Sequence, residues 1–143
     1  MTDEAIRQLI DLGWSREQVE LGNRANWCCE YCGQNFLGSP DAYASWQVDH
    51  IVPVSCKGSG EFDNLAIACR NCNFLFKNKW NPCPIGLHPG AVNCVELIGA
   101  VRDYVAKKRT EYEAHLRDVR AVIAADAGNR HKPEQGQTFT TPS

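Results

Sequence analysis

CEYCG at residues 29–33 and CRNCN at residues 69–73 bracket the part of this chain that decides its fold. Each stretch holds two cysteines two residues apart, a spacing at which one turn of backbone presents two thiolates to a single ion. Cys29, Cys32, Cys69 and Cys72 together offer four sulfurs and no open position, the donor set of a structural zinc. A segment with few long elements draws much of its folding free energy from such an ion. Cys28 rivals Cys29 only at C-x-x-x-C spacing. Cys56, Cys83 and Cys94 have no partner at ligand spacing and read as small lone thiols, buried or exposed.

Between the pairs runs VDHIVPVS followed by EFDNLAIACRNCN. Asp49 and His50 set a hard anionic oxygen beside an imidazole. Asp49 suits Mg²⁺ or Mn²⁺, and His50 has the ordinary pKa of a general base at neutral pH. Neighbouring side chains on a strand point to opposite faces, so a twist or bulge is expected here to bring both into one site. Asn73, one residue past the last cysteine, offers a second oxygen to the same ion. Asn64 ends the turn-rich loop SCKGSGEFDN, where its amide can bond backbone and hold the loop.

Working outward, the alternation of Trp46, Val48, His50 and Val52 predicts a strand, and the apolar run 65–68 a second. Arg70 to about Lys79 predicts a helix that stops before Pro82. On the N-terminal side, residues 3–12 predict a helix stopped by Gly13, and Ser15 with Gln18 opens another that runs to about Ala25. On the C-terminal side, a Pro/Gly-rich link leads to Asn93, which with Glu96 caps a long helix. Its apolar positions step by three or four from Ile98 to Ile123, and Gly128 is its expected end. The stripe suits packing on the two N-terminal helices, or pairing with a second subunit. Residues 129–143 are polar and are expected to lack structure. The organisation expected is a helical arm at 1–25, a core at 26–92, the long helix at 93–128 and the tail at 129–143.

Length and composition set the outer bounds. With 143 residues and 43% hydrophobic content the chain can bury one modest core. No run of 18 apolar residues exists, which excludes a transmembrane helix and membrane partners of that kind. The acidic opening MTDEAIRQLI lacks the features of a secretory leader, so a cytoplasmic setting is expected and metal is preferred to disulfides for the cysteines. A formal net charge of -2 advertises no global basic field. Locally, Arg70, Lys77 and Lys79 stand in an acid-free stretch from 64 to 80, and Lys107, Lys108 and Arg109 form a second basic cluster. Trp27, Trp46 and Trp80 read as core packing, and His88, His115 and His131 as structural or solvent-facing.

Cys29-Glu-Tyr-Cys32-Gly33, Asp49-His50-Ile-Val-Pro53, Asp63-Asn64-Leu65 and Cys69-Arg-Asn-Cys72-Asn73, in this order and at these spacings, resemble the HNH endonucleases. The resemblance covers about residues 24–80. It implies an α+β chain with a ββα-metal core and a four-cysteine zinc site, flanked by N-terminal helices and the long C-terminal helix. It implies that His50 activates water for attack on a DNA phosphate, that Asp49 and Asn73 hold one catalytic Mg²⁺ or Mn²⁺, and that Asn64 keeps His50 correctly presented. Double-stranded DNA cut with little sequence specificity is the implied partner, nicked by a monomer or cut on both strands by a homodimer. Arg70, Lys77 and Lys79 are the expected phosphate contacts. Two departures stand out. Asn73 replaces the family's frequent last His, as in its HNN subgroup, which favours Mg²⁺ or Mn²⁺ over a catalytic zinc. The family often has Lys three residues after that position, whereas here Phe76 is there and Lys77 follows. The competing readings are a non-catalytic zinc module that binds nucleic acid or protein, and a cysteine redox protein.

Overall fold

The computed structural model describes residues 1–88 and 90–131. Two antiparallel strands lie at its centre, β1 (Trp46–His50) and β2 (Leu65–Cys69). They pair in a register that sets Trp46 against Cys69, Val48 against Ile67 and His50 against Leu65. All five residues of β2 are buried. A lone strand pair is marginal in water, and here the Cys29–Cys32 turn supports it. The Glu30 amide donates to the Ile67 carbonyl (2.9 Å), and the Glu30 carboxylate accepts from the Ile67 amide (2.8 Å). Arg24 holds the same carboxylate through two nitrogens, at 2.9 and 2.8 Å, and also donates to the Leu65 carbonyl. This half-buried ion pair is therefore part of how β2 is clamped.

The N-terminal helices form as their caps dictate. Thr2 caps α1 (Asp3–Asp11), and the Ser15–Gln18 capping box opens α2 (Arg16–Arg24). A short α3 (Pro40–Ala44), capped by Ser39 with proline in its first turn, was not among the expected elements. It carries Tyr43, whose hydroxyl accepts from the Trp14 indole at 2.9 Å. Trp14 stacks on Trp46 (centroids 4.3 Å) and meets Trp27 edge-on (5.2 Å), tying the helices to the sheet.

The helix after β2 is shorter and wider than the sequence suggests. It is a π-helix, Asn71–Phe76, here called α4, in which the Lys77 amide reaches back five residues to the Cys72 carbonyl (2.8 Å). Cys72 is held in the thiol cluster and Lys77 by Asp49, and the wide turn satisfies both constraints. The Cys56 and Cys83 reading also needs correction. They form a disulfide (Cα–Cα 5.5 Å) that ties the loop after β1 to the segment after α4. A separation of 27 residues carries no ligand-like spacing, so the pair is not legible from the order of residues alone.

The long helix, α5 (Cys94–Arg130), opens on the expected Asn93–Glu96 box. It does not stop at Gly128. Glycine in a helix costs about 1 kcal/mol relative to alanine but does not forbid it, and the Asp126–Arg130 ion pair (2.8 Å) spans the position. Residues 1–109 form one compact unit, and the described residues from 110 onward belong to a second. In the first, Leu97, Ile98, Val101 and Val105 are buried in one core with Trp14, Val19, Leu21 and β2, as the packing on the N-terminal helices required. In the second, Tyr112, Leu116, Val119 and Ile123 are exposed, so the packed stripe covers only the helix's first part. No helix among the described residues is long and apolar enough to cross a membrane. The expectation for residues 129–143 falls largely outside the described residues, and α5 itself reaches Arg130.

Candidate functional site

The sulfur atoms of Cys29, Cys32, Cys69 and Cys72 lie within 4.8 Å of one another. Tetrahedral bonds of about 2.3 Å imply sulfur–sulfur distances of about 3.8 Å, and Cys32 and Cys69 stand 3.8 Å apart. The cluster thus suits a structural metal such as zinc. Backbone amides support it, Cys69 N–H on the Cys29 sulfur (3.2 Å) and Cys72 N–H on the Cys69 sulfur (3.4 Å). Gly33 takes φ +80 just after the first pair, a conformation in which a side chain is strained. The thiols share their protons unevenly. Hydrogen bonding to Cys29 holds Cys69 down to about 7 and Cys32 further below the ordinary thiol range. Cys29, through its bond to Cys32, and Cys72, through its bond to Cys29, are pushed up. A divalent cation completes such a set by displacing the remaining protons. Arg109 donates to the Cys72 sulfur (3.4 Å) and lies over the Phe76 ring (4.6 Å), so this member of the second basic cluster offsets thiolate charge.

The chemistry-bearing side chains of the segment between the pairs meet in one open cleft of about 380 Å³. Asp49, His50, Pro53 and Val54 line it from β1 and the loop beyond, and Asn73, Phe74 and Lys77 from α4 and its end. No bulge brings Asp49 and His50 together. The strand simply ends at His50, with Asp49 buried beneath and His50 exposed. Asn64 is fully buried and does what its sequence position suggested for the loop. Its amide oxygen accepts from the Val52 N–H (2.8 Å), and its NH₂ donates to the carbonyls of Val52 (3.0 Å) and Ser59 (2.7 Å). Its backbone carbonyl accepts from the Ile51 amide (2.8 Å), so both residues that follow His50 are tied to Asn64. Gly58 completes the fit, since a Cβ there would stand 1.8 Å from the Val52 carbonyl oxygen.

Asp49 is embedded more deeply than a bare metal ligand would be. The Lys77 ammonium contacts its Oδ2 at 2.8 Å and its Oδ1 at 3.1 Å, and donates to the His50 carbonyl at 2.9 Å. Lys77 is buried, so its charge is turned inward to Asp49 rather than offered on the surface as the phosphate-contact reading expected. Asn73 and Lys77, four residues apart across the wide π turn, both line the cleft. The Tyr31 hydroxyl also donates to Asp49 Oδ2, at 2.5 Å. Burial first, and the Asp49 charge second, push this phenol well above its ordinary range, so it remains a donor. Asn73 donates through its amide nitrogen to Gln47 (3.0 Å), which leaves its carbonyl oxygen without a role in that bond. Asp49 retains lone pairs on Oδ1. Asp49 and Asn73 both line the cleft, and their remaining oxygens are of the hard type that could hold Mg²⁺ or Mn²⁺.

Arg70 is exposed at the start of α4, 5.9 Å over the Phe74 ring. Lys79 is exposed and lines an adjoining groove with Pro53 and Trp80. Sequence reasoning passed over Tyr31, Gly58 and Phe74. The first two sit inside the quoted motifs and loop, but their partners are fixed only by the fold.

An antiparallel strand pair leading into a short helix, stapled by four thiols and opening a histidine-bearing cleft, defines a ββα-metal finger. Residues 29–76 match the family model of the HNH endonucleases, which supports a nuclease-type function and action on nucleic acid. Among curated proteins and among solved structures none matches the chain.

Proposed function

We propose that this chain is a metal-dependent DNA endonuclease that hydrolyses one phosphodiester bond at a time with a histidine-activated water. The observation that carries the reading is the convergence of Asp49, His50 and Asn73 on one cleft. His50, exposed at the end of β1, accepts the proton of a water as its oxygen attacks phosphorus, and the bond to the 3′ oxygen breaks. Asp49 and Asn73 would hold Mg²⁺ or Mn²⁺, which when bound would supply positive charge against the phosphate and the leaving oxygen. Asn64 locks the residues that follow His50, so the imidazole is presented at small entropic cost. Arg70 and Lys79, exposed beside the cleft, meet neighbouring phosphates of double-stranded DNA and read no sequence. Lys77 acts on Asp49 rather than on the substrate. A single cleft cuts a single strand, so a monomer nicks. A homodimer joined through the exposed stripe of α5 would present two such clefts.

The test is supercoiled plasmid incubated with the purified chain and Mn²⁺ or Mg²⁺, with EDTA as the control. Open-circular product that depends on the ion and vanishes in His50→Ala supports the proposal. DNA retention without cleavage would leave the zinc-stabilised binding module instead.

A further inference from the structure

We propose that Tyr31 is a positioning residue for the catalytic carboxylate, so that the thiol-clamped turn sets the geometry of the divalent-ion site through one hydroxyl. The inference rests on the reading of Asp49 as a ligand of that ion. Tyr31 lies between Cys29 and Cys32, and two cluster sulfurs thereby fix both ends of its short turn. Its side chain is buried, with 4% of the residue exposed, and its hydroxyl donates to Asp49 Oδ2 at 2.5 Å. Asp49 is held from two further directions. Its backbone pairs with Ala66 across the sheet, and Lys77 reaches it from the end of α4.

The two carboxylate oxygens are not equivalent. Oδ2 carries the Tyr31 hydroxyl and the shorter Lys77 contact, while Oδ1 carries only the longer one, 3.1 Å. Oδ1 is therefore the oxygen with lone pairs to spare, and Tyr31 decides which oxygen that is. A carboxylate held by Lys77 alone can turn about its χ2 bond and exchange the two atoms, because χ2 of Asp is a broad, nearly two-fold torsion. Partners that orient a ligating carboxylate typically change metal affinity 10–100-fold when removed. The four-thiol cluster is on this account more than a staple, because it places one of the two groups that aim Asp49.

The decisive measurement is Mn²⁺ affinity of the zinc-loaded full chain without DNA, read from the free-Mn²⁺ EPR signal. Wild type is compared with Tyr31→Phe, Asp49→Asn and Tyr43→Phe, the last removing a hydroxyl that serves Trp14 instead. Tyr31→Phe should keep its zinc and its cooperative melt, yet bind Mn²⁺ about tenfold more weakly or worse, and need correspondingly more Mn²⁺ for half-maximal nicking. Tyr43→Phe should bind as wild type does. Wild-type affinity in Tyr31→Phe, alongside lost affinity in Asp49→Asn, overturns the positioning role and spares the ligand. Unchanged affinity in Asp49→Asn overturns both. Loss of zinc or of the fold in Tyr31→Phe assigns the hydroxyl to structure and also overturns the proposal.

Discussion

His50 stands where β1 runs out, and that position separates its chemistry from its structural role. It is exposed, and its side chain holds nothing together, so His50→Ala should abolish nicking while leaving stability within about 0.5 kcal/mol. Parallel plasmid and urea-unfolding assays check both halves. Asn64 is the opposite case. It is wholly buried, and its side chain makes three hydrogen bonds that no other residue can replace. Asn64→Ala leaves the Val52 N–H and carbonyl unpaired at roughly 1–3 kcal/mol for each buried group, so stability and activity should fall together. Tyr31 adds a pH signature. Its hydroxyl keeps its proton in the fold above the pH, about 10, at which an unfolded tyrosine ionises. The native state then binds more protons than the unfolded one, so stability declines as pH rises past 10. Urea midpoints between pH 9 and 11 should fall less steeply in Tyr31→Phe than in wild type. At this scale the sequence was legible where side chains act together with their neighbours in the chain, as with the two thiol pairs. It was not legible for Lys77. The ammonium looked like a surface charge because nothing local shows that a π turn swings it onto Asp49.

The elements divide the same way. Both strands, both N-terminal helices and the cap of the long helix follow from periodicity and capping residues, which are local, and each formed where its pattern lay. What escaped depends on contacts between distant segments. The π-helix exists because both its ends are pinned from outside, α3 because Ser39 and Pro40 start a turn too short to show a period, and the disulfide because two loops meet. Cys56–Cys83 closes a loop of 27 residues, which by chain entropy stabilises the fold by roughly 3–4 kcal/mol at most. Cys83→Ser should therefore lower the thermal midpoint of the whole domain without releasing zinc. The four-thiol cluster is the larger contribution. Apart from β2, the elements around it are short or half-exposed, and structural sites of this type commonly decide between folded and unfolded chains. A strong chelator should unfold residues 26–80 cooperatively, seen as lost tryptophan signal from the Trp14–Trp46 stack, and zinc should restore it.

Across the whole molecule the charge is slightly acidic, an unusual balance for a protein proposed to meet phosphates. The geometry eases the conflict locally. Arg109 sits against the cluster sulfurs and Lys77 neutralises Asp49, so neither is spent on DNA, while Arg70 and Lys79 remain exposed beside the cleft. With two such cations engaged, log affinity should fall against log salt with a slope of about -2, a roughly tenfold loss between 50 and 200 mM. Removing either charge should flatten the slope by about one without changing which sites are cut. The product pattern then reports how many clefts act together. One cleft converts supercoiled plasmid to open circles at a rate first-order in protein, with linear DNA appearing only after random nicks oppose one another. Pairing through Leu116, Val119 and Ile123 would instead give early linear product and a rate rising with the square of concentration, and Val119→Lys would return it to nicking. The exposed stripe is short and the cleft complete within residues 1–109, so the first pattern is expected, with sedimentation at the mass of a single chain.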